Sequence, residues 1–223
     1  MTGNVFQVKS RKNGNTYALK VVSRRKIAFY NLETSLLNEK DCLTNVDHPM
    51  ILKLIKTFKD DKRIYFLTEY IAGTELFDVL QQIGICSEDD SKFYYACCLI
   101  ILDHLAQHNV CYRDLKPENI MITLNGYPKL VDFGTAILVN DRTYTIVGTP
   151  HYMAPEMILG KGYDREIDIW ALGVMFFQFI FGKLPWGEDE EDPMGVYAEI
   201  LNGEIIYPTG ARERMEHEGP LIE

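Results

Sequence analysis

The chain has 223 residues, 47% of them hydrophobic, enough apolar material for one large or two small cores. With 32 acidic against 23 basic side chains and a formal net charge of -9, it is ill suited to nucleic acid or an anionic membrane surface, because phosphate contacts need clustered Lys and Arg. Five cysteines, Cys42, Cys86, Cys97, Cys98 and Cys111, form no C-x-x-C pair and follow no secretory signal, so a cytoplasmic protein with reduced thiols is expected.

The first elements read as a hairpin. Two runs rich in Val, Thr and Tyr flank Asn13-Gly14, a pair suited to a two-residue turn with positive φ at both positions, and the second strand carries Lys20 at its end. A helix from Leu32 (LETSLLNEKDCLTNV) follows, then two strands, MILKLIKTF and RIYFLTEY, joined by KDDK. After an extended hinge at Glu69 to Thr74, which includes Ile71, the period shifts toward 3.6, with helices at LFDVLQQI and KFYYACCLIILDHLAQHN. The second lacks a clean polar face and is expected to be buried on most sides. On it, His104 and His108 have metal-gripping i, i+4 spacing without the usual neighbouring Glu, and read as ordinary helix residues.

A region of short strands leads to the most apolar stretch, IWALGVMFFQFIFG, residues 169–182, flanked by Asp168 and Lys183. A membrane span needs about 20 residues, so this stretch reads as a buried core helix and no membrane span is expected. The pattern predicts an α+β chain with a small antiparallel-sheet lobe (1–70), a larger, mainly helical lobe (71–208) and a disordered tail (209–223). A cleft between two such lobes is the expected ligand site.

Chemistry concentrates in YRDLKPENIM, residues 112–121, and KLVDFGTA, residues 129–136. Asp114, Asn119 and Asp132 are spaced so that two loops offer one carboxylate to a hydroxyl proton, and an amide and a second carboxylate to hard cations. Magnesium takes oxygen ligands and leans on substrate phosphates for the rest of its shell, a combination that suits phosphoryl transfer.

In order and across nearly the whole chain, these motifs resemble the protein-kinase signature set. The resemblance implies a two-lobed kinase fold with ATP and Mg2+ as cofactors. Lys20 in YALK resembles the lysine that holds the α and β phosphates, and Glu39 the helix glutamate paired with it. Asp114 resembles the catalytic base, Lys116 the lysine near the γ-phosphate, and Asn119 and Asp132 the magnesium ligands. Thr149-Pro150 and Ala154-Pro155-Glu156 match the end of the activation segment, and Asp168 the helix aspartate that braces the catalytic loop. Counted back from Lys20, Val5 falls at the valine over the adenine and Gly3 at the third glycine of the phosphate loop. Glu69 and Ile71 lie on the hinge beside the nucleotide, and Thr68 gates the pocket behind the adenine.

Tyr112 in the Tyr-Arg-Asp form, with GTPHYMAPE, resembles the basophilic AGC serine/threonine kinases. FKDDKRIYFL and DPMGVYAEILNGEI look most like cGMP-dependent kinases, with the cAMP-dependent catalytic subunit next. Glu75 and Glu118 match carboxylates that pair with a substrate arginine, the first also with the ATP ribose, so basic peptides are the expected substrates. Gln178 stands where the family carries a further acid, which weakens one arginine subsite. The acidic run EDEED reads as a solvated loop. Thr145 resembles the activation-loop phosphorylation site, with Arg113 to hold the phosphate and Ile137 where a second cation is often found.

The resemblance also implies missing parts. The first strand and two glycines of the phosphate loop have no counterpart, leaving a sheet edge open, and the last helices of the large lobe and the arginine that pairs with Glu156 are likewise absent. A cyclic-nucleotide-binding regulatory region is expected elsewhere, outside this chain. An alternative reading is a catalytically weak kinase-fold fragment acting as a binding module.

Overall fold

The computed structural model describes residues 3–205, 207 and 208; the predicted tail at 209–223 lies outside them. Strand β1 (Asn4–Lys9) pairs antiparallel with β2 (Thr16–Ser23) in a register that sets Val5 opposite Lys20. The hairpin is as expected, but its turn is not the two-residue type. Ser10 N–H donates to Asn15 O (2.8 Å), and of Asn13 and Gly14 only Gly14 has positive φ (74°). Asn13 instead uses its side chain, accepting from Asn15 N–H at 3.1 Å, which lengthens the loop. Lys20 lies inside β2, not at its end, because the β-branched run Val21–Val22 continues the ladder.

A short helix that sequence pattern does not reveal, α1 (Arg24–Tyr30), precedes α2 (Glu33–Asn45). The next strands, β3 (Leu54–Lys59) and β4 (Arg63–Glu69), complete a sheet of order β1-β2-β4-β3. The residues expected at the start of the third strand lie outside it: Ile51 bridges to Leu130 of the other lobe, tying the lobes together behind the cleft. Val22, Ile27, Leu36 and Phe66 form the core between sheet and helices. This packing fixes the height at which α2 presents Glu39 to β2.

The linker ends in β5 (Gly73–Glu75), which leads into α3 (Leu76–Ile83). Helix α4 (Glu88–Gln107) starts at Ser87, whose hydroxyl accepts from Asp90 N–H (3.1 Å), with Glu88, Asp89 and Asp90 favourably placed against the helix dipole. One stripe of this helix is more open than expected: Phe93, Leu99 and Ile100 are exposed, while Cys97, Cys98, Ile101, Leu102 and Leu105 are buried. Four short strands follow, β6 (Val110–Cys111), β7 (Ile120–Thr123), β8 (Pro128–Leu130) and β9 (Ile137–Leu138). They pair as β5-β7-β8 and β6-β9, pinning both ends of the loop 112–119 and of the segment 131–136.

After a single helical turn, α5 (Pro155–Ile158), the apolar stretch forms α6 (Glu166–Phe181). Leu172, Met175 and Phe179 of α6 are fully buried in the main core, and Tyr95 of α4 meets Phe176 with ring centroids 4.6 Å apart. Helix α6 ends at Gly182, where φ is 70° and a Cβ would lie 2.9 Å from Gly84 O, so both conformation and contact demand glycine. Helix α7 (Pro193–Asn202) is capped by Asp192, which accepts from Met194 N–H. Among the described residues, no helix is long and apolar enough to cross a membrane.

Candidate active site

The cleft joins three pieces: the inner face of β2 and α2, the loop 112–119, and the turn after β8. On the upper side Lys20 Nζ lies 2.6 Å from Glu39 Oε1 and 3.9 Å from Asp132 Oδ1. Burial pushes the Glu39 carboxyl up from its ordinary value, and the Lys20 ammonium opposes that shift. Lys20 therefore bridges the sheet lobe to Asp132. Asp132 has φ 53°, and its half-exposed carboxylate accepts from Gly134 N–H at 3.2 Å through Oδ1, the same oxygen that faces Lys20.

On the lower side one carboxylate organises three side chains. Asp114 Oδ1 accepts from the Thr149 hydroxyl (2.7 Å), and Oδ2 accepts from Asn119 Nδ2 (3.0 Å) with Lys116 Nζ at 3.1 Å. Lys116 also donates to Thr149 Oγ1 at 2.6 Å, closing a ring around the acid. Asn119 donates a second bond to Asp114 O (2.8 Å), which commits its amide nitrogen to the loop and leaves its oxygen for another partner. Gly148 makes this ring possible. Its φ is 110°, and a Cβ there would come within 2.5 Å of Arg113 O. Gly148→Ala is expected to reduce any activity of the site at least about tenfold, since a displacement near 1 Å at a reacting centre has effects of that order or larger; turnover at the wild-type level would refute this.

The loop is braced from below. Asp168 is 3% exposed, and its two carboxylate oxygens accept from the backbone N–H groups of Tyr112 and Arg113, both at 2.8 Å. Burial pushes its pKa up to about 6 despite these bonds. Arg113 has φ 72°, an unusual conformation held by those bonds and by its Nε donating to Thr135 O at 2.7 Å. Tyr112 is fully buried, edge-on to Phe133 at 5.2 Å, and its hydroxyl donates to Val131 O. The two chemical loops are thus locked to each other.

The remaining predicted residues divide. Thr68 is 8% exposed behind the cleft, where its hydroxyl donates to Glu69 O. The Glu69 side chain accepts from Lys53 N–H (2.8 Å) and pairs with Lys129, and its backbone N–H donates to Lys53 O at 3.0 Å. Ile71 is half-buried in the linker, and Glu75 is exposed at the start of α3. Val5 is exposed on the edge strand, and a Cβ on Gly3 would lie 2.6 Å from Val21 O. Glu118 has a buried oxygen, Oε2, without a hydrogen-bond partner among the described residues, while Gln178 accepts from Tyr152 OH at 3.0 Å. Glu156 forms no ion pair among the described residues, and Thr145 is exposed. Gly148, which enters the motif reading only as the first residue of GTPHYMAPE, and Tyr163 are both structurally tied to the site, yet sequence pattern assigns neither a role. A glycine before Thr149-Pro150 is a usable hint for the first; nothing local marks the second.

Two oxygen donors, Asn119 and Asp132, fit a hard cation completed by phosphate oxygens. Among the described residues no group of three or more His, Cys, Asp and Glu side chains converges.

Fold and site together define a protein kinase domain: the sequence pattern of that family matches residues 1–216, and the chain belongs to it. It is 46% identical over 192 residues to the cGMP-dependent protein kinase of Plasmodium berghei, covering 86% of this chain and 22% of that protein. Against the cGMP-dependent protein kinase of Toxoplasma gondii the figures are 43% over 206 residues, 92% and 21%. The cAMP-dependent protein kinase catalytic subunit of Dictyostelium discoideum is 39% identical over 208 residues, 93% of this chain and 32% of that protein. The chain spans about a fifth of the length of the cGMP-dependent relatives.

Proposed function

We propose that the protein is a serine/threonine kinase of the basophilic AGC type, similar to cGMP-dependent kinases, that transfers the γ-phosphate of ATP to a hydroxyl near basic residues. The observation that carries this reading is the Asp114 carboxylate, held by Lys116, Asn119 and Thr149 and facing the Lys20–Glu39 pair and Asp132 across the cleft. Asp114 orients the incoming hydroxyl and accepts its proton as the new phosphorus–oxygen bond forms and the bond from the γ-phosphorus to the bridging oxygen breaks, with ADP as the leaving group. Lys116 sits where charge develops on the transferred group. Lys20, fixed by Glu39, aligns the α and β phosphates. Asn119 and Asp132 would hold magnesium, which neutralises phosphate charge when bound.

In this reading residues 1–70 and 71–208 act as the two lobes, Thr68, Glu69 and Ile71 border the adenine, Val5 covers it, and Gly3 belongs to the loop over the phosphates. Glu75 and Glu118 receive substrate arginine, whose planar guanidinium matches a carboxylate bidentately. Gln178, already engaged by Tyr152, leaves one basic subsite weaker. Control by a cyclic nucleotide would reside in a region beyond this chain, consistent with the greater length of the relatives, and the protein would act in the cytoplasm.

The test is a peptide panel. A serine peptide with upstream arginines should be phosphorylated at least about tenfold more efficiently than its alanine-substituted counterpart, the scale of one charge-assisted contact. Equal rates, or preference for an acidic peptide, would remove the basophilic assignment.

A further inference from the structure

Helix α2 is tied to the large lobe near both of its ends. At the last turn Asn45 Nδ2 donates to His108 O at 2.9 Å, and in the first turn the Ser35 hydroxyl donates to Gly134 O, also at 2.9 Å, across 99 positions of sequence. Among the described residues nothing else donates to that carbonyl. The next residue, Leu36, is buried in the core of the sheet lobe, so the helix is held on both sides. Ser35 and Glu39 lie one helical turn apart and share a face. Glu39 meets Lys20 at 2.6 Å, Lys20 lies 3.9 Å from Asp132 Oδ1, and that oxygen accepts from Gly134 N–H at 3.2 Å. With the Ser35–Gly134 bond these contacts close a circuit through both lobes, and Asp132 is one of its members.

We infer that Ser35 is a positioning residue that holds the turn carrying Asp132 against α2, so that the Lys20–Glu39 pair and the Asp132 carboxylate keep the spacing at which they receive nucleotide and magnesium together. The effect on nucleotide rests on the kinase reading; the tie between helix and turn does not. The circuit joins α2 to this turn at two points, and they differ in strength. Lys20 reaches a half-exposed carboxylate at 3.9 Å, a solvent-screened contact that holds little by itself. The Ser35–Gly134 bond is shorter and partly buried, and it fixes backbone rather than a rotatable side chain. The hydroxyl has no competing duty in its own helix, since α2 begins at Leu32 without a side-chain cap.

Ser35→Ala tests this, because alanine suits the helix at least as well as serine and removes only the hydroxyl. Hydrogen exchange of residues 131–136 should quicken about two- to tenfold, the scale of one hydrogen bond of ordinary net strength, with α6 unchanged. Calorimetric affinity for ATP with magnesium should weaken by a similar factor, and KM for ATP should rise more than kcat falls. Ser35→Thr, which keeps the hydroxyl, should return both measurements toward wild type. Wild-type exchange in residues 131–136 of Ser35→Ala overturns the tie, as does equal quickening in α6, which would make Ser35 an ordinary packing residue. Unchanged ATP affinity in Ser35→Ala, beside a wild type that binds, overturns the positioning role. If wild type neither binds ATP nor phosphorylates peptide, the kinase reading fails, while the exchange measurement still decides whether Ser35 holds the turn.

Discussion

Asp114→Asn is expected to lower phosphate transfer to a serine peptide at least about 100-fold, the usual worth of a positioned general base, and to leave ATP affinity within about twofold. The substitution is nearly isosteric, so the ring of Lys116, Asn119 and Thr149 should keep its shape while the group that accepts the hydroxyl proton is lost. Activity and nucleotide binding then separate cleanly. A variant that retains most of its transfer would remove Asp114 from the role of base, and one that loses nucleotide binding in proportion would make its role structural. Titration calorimetry with ATP and magnesium, run beside the transfer assay, distinguishes these results.

Asp168→Ala is expected to destabilise the chain by about 2–6 kcal/mol, because it orphans two buried backbone donors at about 1–3 kcal/mol each. Both donors, on Tyr112 and Arg113, belong to the loop that carries Asp114, so turnover should suffer together with stability. The pH dependence has a definite sign. The folded pKa, about 6, lies above the ordinary 3.8, so between those values the folded chain binds the proton more tightly than the unfolded one. The Asp168 contribution to stability is therefore larger near pH 4 and falls by about 3 kcal/mol as pH rises through about 6, because each tenfold difference in proton affinity between the two states is worth about 1.36 kcal/mol. Chemical denaturation of wild type and Asp168→Ala at pH 4 and pH 7 should give a larger difference at the lower pH; a gap that widens with rising pH would reverse the assignment.

Much of the site is legible in sequence because its parts are short motifs whose internal spacing is set by local backbone geometry. Tyr112 to Asn119 and Lys129 to Gly134 each place their polar groups within one loop, and α2, α3 and α6 announce themselves by apolar period and length. The pairing of Lys20 with Glu39 is legible only through family resemblance, since no local rule joins a strand to a helix across 19 positions. What sequence pattern misses is long-range or backbone-driven. The Arg113–Tyr163 contact joins residues 50 apart, and Gly148 matters because of a carbonyl on another loop. Helix α1 has only seven residues and one buried side chain, too little period to detect. The Asn13-Gly14 turn departs from expectation for a different reason: Ser10 and the Asn13 side chain offer the backbone competing partners that a two-residue turn excludes.

The most direct measurement is transfer of labelled γ-phosphate from ATP to a serine peptide bearing upstream arginines, with wild type and Asp114→Asn side by side and magnesium present or chelated. The expected result is label on the serine with wild type only, lost when magnesium is removed. Nucleotide binding by both proteins with no transfer by either would contradict a catalytic role and favour a kinase fold kept for binding alone.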